Sequence, residues 1–326
     1  CIRDRGMSMA RRLLPALVAI VVVVLLGAAC ASDSSTSGGD VGERPVRVTT
    51  TANFITDLAE VIGGERVEVT GLLGPGVDPH LYKASAGDVA ALRDADVVFY
   101  GGLDLEGRMA DVLDELSDDK PTIAVSEGIP DDRKRQPTEF EGKFDPHIWF
   151  SVPLWREAVD VVEQAYVELD PDNADGYRER ADAYRAELEA LDAEVRETLA
   201  SIPDDKRVLV TSHDAFGYFG EEYDFEVVGI QGTSTATEAT TADIDRVAGV
   251  IADRGLEAVF IESTVSPQTI RAVLAAAERR GQTARIGGEL FADAAGERGT
   301  PEGTYIGMVR HNVGLIAEGL APSGSR

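Results

Sequence analysis

Residues 171–202 read PDNADGYRERADAYRAELEALDAEVRETLASI. Apolar side chains recur along this stretch at steps of three and four residues; they are Tyr177, Ala181, Tyr184, Leu188, Leu191, Val195, Leu199 and Ile202. This period places them on one face of a single α-helix, with Asp170 as its cap and Pro171 in its first turn. About 30 residues at 1.5 Å each give a length on the order of 45 Å, more than one small domain spans. We therefore predict a helix that joins two lobes, with a coiled-coil oligomer as the alternative.

Strands and helices alternate before this helix. The predicted strands are Val46–Thr51, Val67–Leu73, Val97–Tyr100 and Thr122–Val125. The predicted helices are Asn53–Ile62, Ala86–Ala95 and Glu106–Leu116. Because repeated strand–helix units form a parallel sheet covered by helices on both faces, they predict an α/β lobe over residues 44–170.

The same alternation resumes after the helix, over residues 203–326. The predicted strands are Lys206–Thr211, Glu226–Ile230, Ala258–Glu262 and Ala284–Gly287. The predicted helices are Ala215–Glu222, Thr241–Arg254, Pro267–Arg280 and Tyr305–Gly319. The predicted fold class is therefore α/β, with two lobes, each a parallel sheet flanked by helices, joined by one long linking helix. A chain of 326 residues is long enough to give each lobe its own core.

The composition is strongly acidic. There are 58 acidic and 31 basic side chains, and the formal net charge is −27. A field of that sign disfavours nucleic acid and anionic membrane surfaces and attracts cations, although an acidic surface that serves only solubility is the alternative. The two cysteines, Cys1 and Cys30, lie in or beside the N-terminal segment. The folded body therefore has neither a structural disulfide nor a thiolate zinc site.

Residues 1–29 have the pattern of a secretory signal peptide. Two arginines precede the uncharged run Leu13–Ala29, whose 17 residues fall short of the roughly 20 that a membrane-spanning helix needs. The run leads into LLGAAC, which resembles the lipobox of bacterial lipoproteins with Cys30 as the lipidated residue, although Gly27 stands where the motif has leucine. A plain signal peptide cleaved nearby is the alternative. Residues 30–43 predict a flexible tether, so the folded body is expected outside the cell, anchored to its membrane through Cys30.

One short motif occurs twice and presents a histidine each time. GPGVDPHLY at residues 74–82 follows a predicted strand, and its glycines and prolines predict a turn and a stiff extended segment that carries His80. The tripeptide Asp-Pro-His returns with His147. The chain has only four histidines, and two of them follow the same Asp-Pro dipeptide.

Two further candidate ligands follow predicted strands of the second lobe, His213 after its first strand and Asp293 after its last. In open α/β sheets, ligands bind beyond the carboxyl ends of the strands. Two facing lobes would therefore bring His80, His147, His213 and Asp293 together. Three imidazoles and a carboxylate suit zinc or another borderline first-row ion.

Other polar residues receive supporting roles. Glu262 ends a buried predicted strand, and because a buried carboxylate needs a partner, we predict that it orients a ligand histidine; helix capping is the alternative. Asp78 and Asp145 are expected to support the turns before the first two histidines. Trp149 is expected in the core, and His311, on the last helix, is expected to be structural.

The chain resembles the metal-specific solute-binding lipoproteins of ABC transporters, the zinc, manganese and iron group with a rigid helical backbone between its lobes. The similarity covers nearly everything from Val46 to Leu320. Its most specific motifs are GVDPH at 76–80, ADVVFYGGL at 95–103, DPHIW at 145–149, SHDAFGYF at 212–219 and TYIGM at 304–308. The resemblance implies that the metal ligands are His80, His147, His213 and Asp293.

The resemblance also bears on which ion is bound. In this family the third ligand is typically histidine in zinc binders and glutamate in manganese and iron binders, so His213 favours Zn2+. One feature points the other way, because many zinc members carry a long histidine-rich loop before the second Asp-Pro-His, whereas Pro130–Phe144 is short and has no histidine. Zn2+ is the predicted ion, with Mn2+, or iron, as the alternative.

The predicted function is capture of this ion outside the cell and its delivery to an ABC permease, by a monomer and without catalysis. Because only neutral imidazole binds metal, affinity is expected to fall below about pH 6. The leading alternative is a zinc hydrolase with three histidines; against it stand a fourth protein ligand, Asp293, and the lack of a His-Glu-x-x-His motif. A binding protein for an organic ligand such as a siderophore, and an adhesin, stay open as further alternatives.

Overall fold

The structure is a computed structural model that describes residues 41–138, 140 and 142–321. Within them the chain forms eight strands: β1 Val46–Thr50, β2 Val67–Gly71, β3 Val97–Tyr100, β4 Thr122–Ala124, β5 Val208–His213, β6 Glu226–Gln231, β7 Ala258–Glu262 and β8 Arg285–Leu290. It forms nine α-helices: α1 Asn53–Gly63, α2 Ala86–Asp94, α3 Ala110–Ser117, α4 Val152–Leu169, α5 Ala174–Leu199, α6 Gly217–Tyr223, α7 Thr241–Arg254, α8 Gln268–Arg279 and α9 Tyr305–Leu320. None of these helices has both the length and the apolarity that crossing a membrane requires. The predicted signal peptide, Cys30 and most of the predicted tether lie outside the described residues.

The first lobe is built on a four-stranded parallel sheet in the order β2-β1-β3-β4. Its two central strands are covered on both faces, and their apolar side chains are buried; they are Val46, Val48, Val97, Val98 and Phe99. Because all four strands run in the same direction, their carboxyl ends share one edge. The loop that carries His80 follows β2 at this edge.

The second lobe contains two parallel two-stranded sheets that lie side by side. β5 pairs with β6 and β7 pairs with β8, both in parallel, and β5 lies beside β7, so the spatial order is β6-β5-β7-β8. At the carboxyl ends of the two inner strands, the backbone N–H of His213 donates a hydrogen bond to Glu262 Oε1 at 3.0 Å. The prediction of a two-lobe α/β fold with parallel sheets is confirmed.

Helix α4 is an element that the sequence patterns did not predict. Its start carries two ordinary signals, since the Ser151 hydroxyl accepts a hydrogen bond from the Leu154 N–H at 3.3 Å and Pro153 lies in the first turn. Its buried residues step by three and four; they are Val152, Leu154, Trp155, Ala158, Val159, Val162, Ala165 and Tyr166. A 3₁₀ turn at Pro171–Asn173 connects α4 to α5, so a helical hairpin, rather than one helix, separates the two sheets in the chain.

Helix α5 has 26 residues, which makes it about 39 Å long at 1.5 Å per residue. It is shorter than expected because its first predicted turn is 3₁₀ and because Asp170, instead of capping the helix, accepts hydrogen bonds from Arg66 and Tyr177. Every residue of the predicted apolar stripe is buried. The helix packs against α1 of the first lobe and α9 of the second, as a spine between lobes should. The domain boundaries at residues 44, 170 and 203 stay predictions.

The largest hydrophobic core runs through both lobes. It joins Val48 and Phe99 of the first sheet, Leu188 of α5, and Phe260 and Tyr305 of the second lobe. Smaller clusters complete the outer side of each lobe. Each lobe thus has a cluster of its own, and the largest cluster spans both lobes because α1, α4, α5 and α9 bury their apolar faces against one another. Such a shared core resists large movements of one lobe against the other.

The helix predicted at residues 106–116 begins four residues later, as α3. Glu106 is buried, and its carboxylate accepts a hydrogen bond from the Gly101 N–H at 2.8 Å. Leu103 and Asp104 adopt positive φ values of 54° and 67°, which non-glycine residues rarely do. The chain therefore forms a turn anchored on a buried carboxylate where the periodicity alone indicated helix.

Candidate metal centre

Both Asp-Pro-His segments form the same turn. Asp78 Oδ1 accepts the backbone N–H of His80 at 2.8 Å, and Asp145 Oδ1 accepts that of His147 at 2.9 Å. An aspartate that accepts a hydrogen bond from the backbone two residues on makes an Asx-turn. The repeated motif thus produces a repeated geometry, and both imidazoles are buried.

The other two candidate ligands lie at the carboxyl edge of the second lobe. His213 is the last residue of β5, and Asp293 lies shortly after β8. Both side chains are buried. Their placement follows the rule that ligands bind beyond the carboxyl ends of parallel strands.

The four side chains converge on one point. Nε2 of His147 lies 3.4 Å from Nε2 of His80 and 3.4 Å from Nε2 of His213. Asp293 Oδ1 lies 3.4 Å from Nε2 of His147, and Asp293 Oδ2 lies 3.4 Å from Nε2 of His213. One ligand atom from each of the four lies within 4.8 Å of all the others. Zinc–nitrogen bonds are about 2.1 Å long, so two ligand atoms of a tetrahedral zinc ion lie about 3.4 Å apart, as these four pairs do.

Two carboxylates orient two of the imidazoles from behind. Asp145 Oδ1 accepts a hydrogen bond from Nδ1 of His147 at 2.7 Å, and Glu262 Oε2 accepts one from Nδ1 of His213. A proton held on Nδ1 leaves Nε2 of each ring facing the centre of the group. Glu262 therefore has the position predicted for it, on the outer nitrogen of the His213 ring.

The same carboxylates change the pKa values of the two histidines that they contact. Burial alone would lower the pKa of His147, but the charge of Asp145 and the hydrogen bond to it, together with Asp293, raise the pKa to about 9. Burial also acts to lower the pKa of His213, while the charges of Glu262 and Asp293 raise it well above its ordinary value. A raised pKa favours the protonated ring, so an ion that binds Nε2 has to displace a proton.

His80 and Asp293 lack such support. Nδ1 of His80 and both carboxylate oxygens of Asp293 are buried and have no hydrogen-bond partner within the described part of the chain. Burial, reinforced by the charges of His147 and His213, lowers the pKa of His80 to about 3. Burial acts to raise the pKa of Asp293, but the charge of His213 and the contact with His147 hold it well below its usual range. An ionised carboxylate buried without hydrogen-bond donors is costly unless a cation lies beside it.

Hydrogen bonds from the second lobe tie down the turns that carry His80 and His147. The Thr235 hydroxyl donates to Asp78 Oδ2 at 2.6 Å, beside His80 in the chain. The Tyr218 hydroxyl donates to the backbone carbonyl of Asp145 at 3.1 Å, and Arg135 forms an ion pair with the Asp145 carboxylate. Thr235 and Tyr218 are distant in sequence from the turns that they contact, so only the folded chain reveals these two hydrogen bonds.

Trp149 and His311 were expected to be structural rather than ligands, and neither belongs to the converging group. Trp149 is in the core, and its indole N–H donates to the backbone carbonyl of Ala292 at 3.0 Å. His311 is on α9, where Nε2 lies 3.2 Å from the carbonyl oxygen of Glu289 and the ring contacts Phe291. His311 is not part of the converging group.

Two α/β lobes with three histidines and one carboxylate converging in a buried centre define a metal-binding protein of the substrate-binding class that serves ABC transporters. Residues 48–319 match the family described as ZnuA, zinc-uptake complex component A, periplasmic. The chain belongs to this family, and the resemblance inferred from the motifs is confirmed.

Its relatives differ in the metal for which they are named. The chain is 47% identical over 305 residues to the manganese-binding lipoprotein MntA of Bacillus subtilis (strain 168), which covers 93% of this chain and 98% of that protein. It is also 47% identical over 274 residues to the zinc-binding protein TroA of Treponema pallidum (strain Nichols), covering 84% of this chain and 88% of that protein. The solved structure of the periplasmic zinc-binding protein TroA from Treponema pallidum matches with a TM-score of 0.83 at 46% identity, over 85% of this chain and all of that one.

Proposed function

We propose that this protein captures one divalent transition-metal ion, Zn2+ in preference to Mn2+ or iron, with His80, His147, His213 and Asp293, and delivers it to an ABC permease. It works by binding and release and catalyses no reaction. The ion is cargo, so the same site must retain it outside the cell and give it up at the membrane.

One observation carries the proposal. Nε2 of His147 lies 3.4 Å from Nε2 of His80, from Nε2 of His213 and from Asp293 Oδ1. Asp293 Oδ2 lies 3.4 Å from Nε2 of His213, so one ion could contact all four residues. Neither Asp293 oxygen has a hydrogen-bond partner among the described residues. A cation at the centre would bond to the imidazole nitrogens and neutralise this carboxylate at the same time.

The preference for Zn2+ rests on the donor set and its spacing. Imidazole nitrogens suit zinc, whereas manganese favours carboxylate, carbonyl and water oxygens. The four 3.4 Å separations also match those between the ligand atoms of a tetrahedral zinc ion. Similarity does not decide between the ions, because the relatives named for manganese and for zinc are each 47% identical to this chain.

Delivery to a permease is supported by the family and by several relatives that are named metal ABC transporter substrate-binding lipoproteins. In our proposal, lipid on Cys30 anchors the chain and the segment up to residue 43 acts as the tether. We expect a monomer, because one chain supplies all four side chains of the site.

A zinc hydrolase is disfavoured by the position of Asp293. Catalytic zinc needs an open position for water, usually beside three protein ligands. Asp293 takes the fourth position of the group, with its two oxygens 3.4 Å from His147 and His213. An Asp293→Ala variant with undiminished metal affinity would revive the hydrolase alternative.

Metal content after competition tests the proposal. Metal-free protein offered equal concentrations of Zn2+ and Mn2+ and then desalted should retain about one zinc per chain and little manganese. The His213→Glu variant should shift toward manganese, because an oxygen ligand replaces a nitrogen ligand. Wild-type protein that retains neither ion would refute capture, and wild-type protein that selects manganese would refute only the assignment of zinc.

Glu262→Gln should weaken zinc binding by about 10- to 100-fold, the usual cost of losing a residue that supports a metal-bound histidine. The amide cannot accept both hydrogen bonds that the carboxylate accepts from His213, so the ring is held less firmly. Competition with a chromophoric chelator measures the change. Glu106→Gln is the matched control, since Glu106 is also buried and hydrogen-bonded but lies outside the converging group. Equal losses in both variants would show a general effect of removing a buried carboxylate.

A further inference from the structure

Two asparagines hold the backbone on either side of Asp293. The Asn312 side chain, from α9 of the same lobe, accepts the Phe291 N–H at 2.9 Å and donates to the Phe291 carbonyl at 2.7 Å. The Asn53 side chain, from the start of α1 in the first lobe, accepts the Ala295 N–H at 2.8 Å and donates to the Ala295 carbonyl at 2.9 Å. Asp293 thus lies midway between two double hydrogen bonds, one from each lobe.

The first lobe contacts this segment a second time. The indole N–H of Trp149 donates to the carbonyl of Ala292, the residue before Asp293. Trp149 is also in the loop of His147, so the two lobes are joined at the ligands themselves. The Asn53 contact is more accessible than that of the buried Trp149, because it borders a cavity of about 410 Å³ between α1 and the segment after Asp293. Water can therefore replace the Asn53 hydrogen bonds when the lobes separate.

Asp293 depends on these backbone contacts more than the histidines do. His147 and His213 are each oriented by a carboxylate that bonds the outer ring nitrogen. The Asp293 carboxylate has no hydrogen-bond partner among the described residues and contacts only the rings of His147 and His213, at 3.4 Å, so no residue outside the group fixes its direction. A small shift of its backbone therefore moves the carboxylate with no hydrogen bond from outside the group to oppose the movement.

We infer that Asn53 is a positioning residue, which holds Asp293 against the bound ion from across the lobe interface and so makes retention of the ion depend on contact between the lobes. The inference rests on the proposed capture of a metal ion and adds a route for release. Separation of α1 from the 294–296 segment frees Asp293 first, while His147 and His213 keep the carboxylates that orient them. Release then needs only a small movement, which suits lobes that share one hydrophobic core.

Stopped-flow release of Zn2+ into excess chromophoric chelator tests this inference. Asn53→Ala should release zinc about tenfold faster than wild type, the factor expected from losing one or two hydrogen bonds that help to position a ligand. Asn53→Ser, which keeps a polar residue at the start of the helix, should behave in the same way. Asn173→Ala is the matched control, because Asn173 is a half-buried asparagine whose side chain bonds Asp170 at the turn before α5. It should release zinc at the wild-type rate.

A double mutant separates positioning from a general loss of stability. If Asn53 acts through Asp293, Asn53→Ala should change release by less than about twofold in an Asp293→Ala background, since coupled residues are not additive. An undiminished acceleration in that background would overturn the inference, as would a wild-type rate in the single variants or an equal acceleration in Asn173→Ala. Failure of the wild-type protein to retain zinc would instead refute the proposed function.

Discussion

His147→Ala should lower zinc affinity by about a thousandfold or more, the largest loss expected from any single substitution in the site. His147 contacts all three other members of the group, since its Nε2 lies 3.4 Å from Nε2 of His80, Nε2 of His213 and Oδ1 of Asp293. Losing a residue that only supports a ligand typically costs 10- to 100-fold, so losing a ligand should cost more. A thousandfold loss corresponds to about 4 kcal/mol of binding free energy.

The matched control for this substitution is His311→Ala. His311 is the one histidine of the chain that is not in the group, and it lies on α9. Chelator competition on both variants, with far-ultraviolet circular dichroism to confirm folding, separates loss of a ligand from loss of any histidine. Zinc affinity in His147→Ala within tenfold of wild type would mean that the ion binds elsewhere.

The convergence of the candidate ligands could be predicted from sequence because the geometry that places them is largely local. The Asx-turns that place His80 and His147 involve residues two positions apart, and both copies are visible as Asp-Pro-His. His213 could be predicted from the strand that it ends, because parallel strands bring their carboxyl ends to one edge. Glu262 could be predicted from the cost of burying a carboxylate alone.

The residues that hold the candidate ligands in place could not be predicted, because they are far in the chain from the segments that they contact. Asn53 and Ala295 are separated by most of the protein, and an asparagine at the start of a helix carries no sign of a partner in another lobe. The same holds for Thr235, which bonds the Asp78 turn. Helix α4 is a different case, because both Pro153 in its first turn and its apolar period are visible in the sequence.

The pH dependence of binding is the second large effect, and it should begin at a higher pH than sequence alone predicts. Ordinary histidines lose their affinity for metal below about pH 6, near their unperturbed pKa. Here the pKa of His147 is raised to about 9 and that of His213 is also well above its usual value. Affinity should therefore already fall as the pH drops through 8 and 7.

The direction and the size of this pH dependence follow from the number of protons that the ion displaces. A raised pKa means that the metal-free protein holds a proton on the ring below that pKa, and the ion must remove it, so affinity rises with pH. Each displaced proton changes affinity about tenfold per pH unit. His80, with a pKa of about 3, and Asp293, with a lowered pKa, release none in this range. Two protons, from His147 and His213, give about a 100-fold change per unit.

Calorimetry in buffers of different ionisation enthalpy counts these protons directly, and chelator competition between pH 5.5 and 7.5 should show a change on the order of 10⁴-fold. The Glu262→Gln variant supplies the internal check. Removing the charge of Glu262 should bring the pKa of His213 down toward its usual value, so the variant should release about one proton fewer at pH 7. Affinity that stays level from pH 8 to 6 would show that both rings are already neutral in the metal-free protein. The carboxylates behind His147 and His213 would then orient the rings without holding their protons.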